Sequence, residues 1–225
     1  MPYDQVETIL KSKKDIAVRN CVCRQERHVV GDGCDKPIET CLSFDGAARN
    51  TVESGKGRFI SLEEALIILE KAQQAGLVLQ PANSQNPIFL CACCGCCCGV
   101  LRHIKADLNP ANLVANPYHA EHDSELCIAC GLCLVVCPMD ALTLTNDGSV
   151  AFDQLRCIGC GLCVGVCPEE AVKIVRKDEA LQSVPPKNIV GTYLKLALKR
   201  KSWTIFEMFG LVIKSFLDRL IAPRK

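Results

Sequence analysis

The chain has 225 residues, 18 of them Cys and one Trp, with a formal net charge of +1. That length holds one or two domains with a modest core, and no uncharged apolar run approaches the roughly 20 residues that span a bilayer, so no transmembrane helix is expected. The near-zero charge hides an asymmetry: residues 187–225 carry nine Lys/Arg against two Asp/Glu, or +7, which leaves −6 on the other 186 residues.

Residues 3–11 suit a short helix with Val6, Ile9 and Leu10 on one side, and Ile16-Ala17-Val18 an extended piece leading into Cys21-Val22-Cys23. From Arg24 to Arg58 the chain is rich in Gly, Asp and Cys with little periodicity, so irregular backbone held by metal is expected. Ser61-Leu62-Glu63-Glu64 forms a capping box, in which the Ser oxygen takes one orphan amide and Glu64 reaches back to another. Leu62, Ala65, Leu66, Leu69 and Ala72 continue at helical spacing, and Gly76 is placed to close the helix. Leu77-Val78-Leu79 and Ile88-Phe89-Leu90 read as two strands around a turn. Helix then hairpin resembles the last helix and wing of a winged-helix domain, but Glu63, Glu64 and Glu70 against Lys71 match phosphate poorly, so nucleic acid is not an expected partner.

Residues 104–123 read as a connector with Asn109-Pro110 and Asn116-Pro117 turns. Then one pattern occurs twice: Cys127, Cys130, Cys133 and Cys137-Pro138, followed by Cys157, Cys160, Cys163 and Cys167-Pro168. Three thiolates sit on each loop and a fourth is expected at the start of the following helix. In a two-cluster arrangement the fourth Cys of each run ligates the other cluster. The implied sets are Cys127, Cys130, Cys133 with Cys167, and Cys157, Cys160, Cys163 with Cys137. Strands are expected at residues 141–144, 150–152 and 172–175. Over roughly residues 124–176 this resembles the bacterial ferredoxins with two [4Fe–4S] clusters, which implies electron transfer.

Ten cysteines lie upstream: Cys21, Cys23, Cys34 and Cys41, then Cys91, Cys93, Cys94, Cys96, Cys97 and Cys98. Such density in a short secreted protein would mean disulfides, but Met1-Pro2-Tyr3-Asp4 lacks the features of a signal peptide and adjacent thiols bridge poorly. A reducing cytoplasm and one or two further iron–sulfur clusters are expected, with zinc the competitor for four thiolates. One division gives the first four cysteines a cubane and the second run another; a different one draws both segments into a single cluster with thiols to spare. Cys21-Val-Cys23-Arg24, Cys34 with Pro37-Ile-Glu-Thr-Cys41-Leu, the helix from Glu64 and the Cys91–Gly99 run together resemble an N-terminal domain of anaerobic bacterial ferredoxin-type proteins, which implies additional cluster binding. Cys93-Cys94-Gly95 is similar to the CCG element of heterodisulfide reductases, but their two long, regularly spaced Cys repeats are missing.

His119-x-x-His122 falls on one face if helical and reads as a solvated pair without a Cys or carboxylate partner. Asp32, Asp35 and Asp45 read as loop formers. No P-loop, dinucleotide fingerprint or Ser-His-Asp arrangement is present, so no catalytic residue is assigned. From Ser202 to Ala222, Ile205, Phe209, Val212, Phe216 and Leu220 share one side of an amphipathic helix flanked by Lys199-Arg200-Lys201 and Arg224-Lys225, a segment suited to a partner groove or to the inner face of a membrane.

The expectation is an α+β chain in four parts: a Cys-rich iron–sulfur domain (1–103) with the winged-helix-like element, the connector, a ferredoxin-like unit (124–180) and the basic tail (187–225). It serves as an electron carrier for a redox partner or a larger oxidoreductase in anaerobic metabolism. The alternatives are an oxidoreductase subunit with a substrate-reactive upstream cluster and a redox-sensing regulator.

Overall fold

Short apolar segments in the first hundred residues build one antiparallel sheet. The structure, a computed structural model, describes residues 6–182, 184–199, 210 and 213–215. Its first strands and helices are α1 (Val6–Lys11), β1 (Ile16–Asn20), α2 (Val22–Val29), β2 (Glu39–Phe44), α3 (Gly46–Glu53), β3 (Gly57–Ile60), α4 (Leu62–Gln74), β4 (Val78–Pro81) and β5 (Phe89–Cys93). The strands order as β3-β1-β2-β5-β4, each antiparallel to its neighbours.

The period of two along a strand divides this sheet into two chemistries. Val18, Leu42, Phe44, Leu90 and Ala92 join Val6, Leu10, Ala65, Leu69 and Ala72 of α1 and α4 in the main apolar core. On the opposite face Ser43 donates to Thr51 of α3 at 3.0 Å. Ser61 caps α4 as expected, its Oγ accepting from the Glu64 N–H at 3.1 Å. The other half of the capping box is replaced by an ion pair, with Glu64 on Arg58 at 2.6 Å. Gly76, at φ +65°, closes the helix where a side chain would be strained.

The region from Arg24 to Arg58 is more regular than its composition suggests, since α2, β2, α3 and β3 occupy much of it. Its Gly and Asp residues lie in the connections or, as Gly46 and Gly57 do, at the first position of an element, and each element is too brief to establish a period. Thr40 to Phe44 are all buried, so β2 belongs to the apolar core as well as to the thiols. The winged-helix-like hairpin of β4 and β5 is an integral edge of the sheet, with β5 paired to β2.

After α5 (Gly99–Lys105) and a 3₁₀ turn at Pro110–Leu113 comes β6 (Tyr118–His122), which pairs antiparallel with β9 (Val172–Arg176). Between them lie α6 (Leu132–Val136) and the hairpin of β7 (Leu142–Leu144) and β8 (Val150–Phe152). The connector therefore contributes a strand to the cysteine-repeat unit. His119 and His122 lie on β6, three residues apart, and so face opposite sides rather than one helical face.

Arg156 fastens the two halves of the chain, its Nε donating to the Met139 carbonyl at 2.7 Å and its Nη2 to that of Lys105 at 3.0 Å. Val78, Leu101 and Ile104 share an apolar cluster with Met139, Ile158 and Leu162. Beyond the repeats, Pro186 O accepts from Gln85 N at 2.9 Å, and Thr192 of α7 (Ile189–Lys199) donates to Asn83 O at 2.5 Å. The amphipathic helix expected over 202–222 lies outside the described residues, save for Gly210 and residues 213–215, which are helical and exposed. The mixed strand and helix content is that of an α+β protein. Among the described residues no helix is long and apolar enough to cross a membrane.

Candidate metal–sulfur centres

The two cysteine repeats have matching backbones. Ala129 and Gly131 in the first, and Gly159 and Gly161 in the second, all have positive φ, as do Asp140 and Glu170 after the Cys-Pro steps. These left-handed residues curl each loop so that its thiols and several N–H groups point inward. Backbone N–H groups donate to sulfur at Ala129→Cys127 (3.4 Å), Gly159→Cys157 (3.4 Å), Ala120→Cys157 (3.4 Å) and Ala141→Cys137 (3.3 Å). Such donors stabilise the anionic sulfur of a bound cluster and so raise its potential.

The eight thiols divide between two cavities. One is lined by Cys127, Cys130, Cys133 and Cys167. The other is lined by Cys157, Cys160, Cys163 and Cys137. Each holds the loop of one repeat and the last cysteine of the other. That last cysteine follows its short helix rather than starting it: Cys137 caps the end of α6, and Cys167 follows the 3₁₀ turn Val164–Val166. The first group approaches the surface, where Cys130 is exposed; in the second, Cys157, Cys160 and Cys163 are buried. Burial pushes the thiols of Cys133, Cys157, Cys160 and Cys163 up, that of Cys160 to about 11.

Strand parity at β2 and β5, with the turns that follow, divides the ten upstream thiols into two further groups, each drawing on both cysteine segments. Cys41 on β2 lies opposite Cys91 on β5, and Cys93 is two residues on, all on the face away from the main core. The Cys41 thiol interacts with those of Cys21 and Cys91, that of Cys93 with Cys91 and Cys98, and that of Cys98 with Cys23. Hydrogen bonds from Cys41 and Cys93 hold the Cys91 thiol down to about 4. Cys98 is lowered to about 5, first by Cys93 and further by the Leu101 and Val100 amides and by Gln80, whose Nε2 is 3.6 Å away. These six thiols form one network. Cys94, on the opposite parity, turns toward the main core with Cys97 and gathers Cys34 and Cys96. Burial pushes Cys34 up, but the Lys36 amide and the hydrogen bonds of Cys97, Cys96 and Cys94 outweigh it and its thiol is lowered.

Arg24 lies between these groups, fully buried. Its guanidinium donates to the carbonyls of Pro37 and Ala92, the latter at 2.6 Å, and to Thr40 Oγ1 at 3.2 Å, while Nε has no partner. A buried cation is costly without a compensating anion. Cys41 and burial push the Cys21 thiol up, and burial that of Cys94, but Arg24 acts to lower both. The arrangement thus fits anionic metal–sulfur sites on both sides of the sheet.

Arg24 appears in the Cys21-Val-Cys23-Arg24 motif, but nothing in the motif indicates its burial. Asn116 gave only a turn signal, yet its Nδ2 donates to the Ile158 and Gly159 carbonyls at 2.7 and 2.8 Å, clamping the second cysteine loop. Asp32 pairs with Arg27 at 2.5 Å, Asp35 is exposed, and Asp45 accepts from the Lys14 amide at 3.0 Å. All three are loop residues outside the thiol groups. His119 is partly buried beside Glu121 at 3.5 Å rather than solvated, with its Nδ1 unpaired.

A family model described as a 4Fe-4S dicluster domain matches residues 126–171. No curated protein matches the chain. Residues 126–171 are thus an iron–sulfur domain of the ferredoxin type, and the chain has the iron–sulfur electron-transfer role that goes with it.

Proposed function

We propose that the chain is a multi-centre electron-transfer protein of the cytoplasm, passing single electrons between a donor and a larger oxidoreductase in anaerobic metabolism. In this reading Cys127, Cys130, Cys133 and Cys167 hold one cubane, Cys157, Cys160, Cys163 and Cys137 the second, and the six-thiol network around Cys41 and Cys91 a further cluster, so that an N-terminal iron–sulfur domain is fused to the ferredoxin-type unit. Bound [4Fe–4S] clusters supply one-electron chemistry with potentials set by hydrogen bonds to sulfur and by burial.

One observation carries the reading: the thiol groups adjoin in a series that begins at the surface. Cys130 is exposed, and Leu126, Ile128 and Leu132 around it are exposed apolar residues that suit a protein partner. Cys137 packs with Cys133 and Cys163 in one apolar cluster and with Cys160, Cys93 and Cys98 in the next. The second group thus bridges the surface and the six-thiol network. The basic tail supplies a second contact, with an acidic partner or anionic lipid at the inner membrane face.

Stopped-flow reduction by a viologen radical, followed by freeze-quench paramagnetic resonance, tests the order. The signal of the Cys130 group should appear first and that of the six-thiol group last. Simultaneous reduction of all centres, or reduction of the six-thiol group first, contradicts it. A second reading draws on the six-thiol network having more sulfur than the four ligands of one cubane: an oxidoreductase subunit whose upstream cluster meets substrate, marked by a spectral change when substrate is added.

A further inference from the structure

The four thiols of Cys34, Cys94, Cys96 and Cys97 are arranged unlike the others. Cys34 Sγ lies 3.7 Å from Cys94 Sγ and 3.6 Å from Cys97 Sγ, and Cys96 Sγ lies 3.8 Å from Cys97 Sγ. All four sulfurs fall within 4.8 Å of one another, and among the described residues this is the one place where three or more Cys, His, Asp or Glu ligand atoms come so close.

Four sulfurs on one tetrahedral ion at a metal–sulfur distance of 2.3 Å must be about 3.8 Å apart, from the geometry of a regular tetrahedron. A cubane needs the opposite, because its four thiolates stand at separate corners with the whole inorganic core between them. The two ferredoxin-type groups meet that need, since neither brings three of its thiols within 4.8 Å of one another. The quartet around Cys34 has the spacing of one ion.

We propose that Cys34, Cys94, Cys96 and Cys97 bind a single zinc ion as a closed tetrahedral thiolate site, separate from every iron–sulfur centre of the chain. Zinc has no geometric preference of its own from d electrons, and its structural sites are closed tetrahedra of four protein ligands, as four thiols supply here. The ion has a structural task here. Residues 31–38 contain no helix or strand, and Cys34 sits on that stretch, whereas Cys94 and Cys97 are buried in the main core. One ion thus anchors the loop entering β2 to the turn leaving β5. That turn also carries Cys98, whose sulfur belongs to the opposite group, so the ion fixes where the six-thiol network ends.

The test uses full-length protein purified anaerobically from cells supplied with both iron and zinc. Metal analysis should give one zinc per chain, and zinc-edge X-ray absorption should show four sulfur scatterers at about 2.3 Å. Replacing the exposed Cys96 by Ser should lower zinc occupancy at least tenfold after dialysis against a chelator, while iron and acid-labile sulfide stay at the wild-type level. Wild-type protein without zinc, a zinc shell containing nitrogen or oxygen, or a C96S variant that loses iron and sulfide together would each overturn the assignment. The first two measurements need no variant, so they stand even if C96S does not fold, and the proposed electron path is untouched by any of these outcomes.

Discussion

Cys137 occupies a pivotal place among the thiols. It ends α6 of the first repeat, yet its side chain lines the cavity of the second with Cys157, Cys160 and Cys163. Its sulfur accepts from the Ala141 amide at 3.3 Å. In a two-cluster unit the fourth ligand crosses to the other loop, so replacing Cys137 by Ser should alter the resonance signal of the buried cluster and leave that of the cluster near Cys130 intact. A change confined to the Cys130 cluster would show that each repeat supplies all four ligands to its own cluster. Arg24 is the other residue whose surroundings define its role, a fully buried guanidinium held by Thr40 and the Ala92 carbonyl that favours the thiolate forms of Cys21 and Cys94.

Strands decide which thiols meet. The spacing of the repeats was enough to anticipate the loops and the hairpin of β7 and β8, because tight cysteine loops and the Asn146-Asp147-Gly148 turn are local features. The upstream grouping was not legible in the same way. It depends on β5 pairing with β2, a contact between residues about fifty apart, and on the parity that sends Cys91 and Cys93 to one face and Cys94 to the other. The strand at Tyr118–His122 was hidden for a similar reason, since its partner β9 lies more than fifty residues on. That strand makes the two repeats unequal. A Cβ at Gly159 would lie 2.1 Å from the Tyr118 carbonyl oxygen, whereas its counterpart Ala129 carries a side chain. Replacing Gly159 by Ala should therefore cost about 1–3 kcal/mol through overpacking, lowering the apparent thermal midpoint of the anaerobic protein by several degrees, with Ala129→Gly as a nearly neutral control. Equal midpoints for the two variants would mean that β6 does not cross the second loop this closely.

At the scale of the molecule, the thiol groups form a series from the exposed Cys130 to the buried second group and on to the face of a five-stranded sheet. Arg156, reaching from the second loop to the carbonyls of Met139 and Lys105, and the ion pair of Lys105 with Asp140 at 2.8 Å hold the two ends of that series together. The C-terminal segment folds back onto the turn between β4 and β5 through Pro186 and Thr192 and contributes no cysteine. The central claim is that the ferredoxin-type pair continues into a third iron–sulfur centre on the upstream thiols. Iron and acid-labile sulfide, quantified per chain in anaerobically purified protein, test this most directly. Three [4Fe–4S] centres predict about twelve of each; about eight of each, the content of the two cubanes alone, would contradict it.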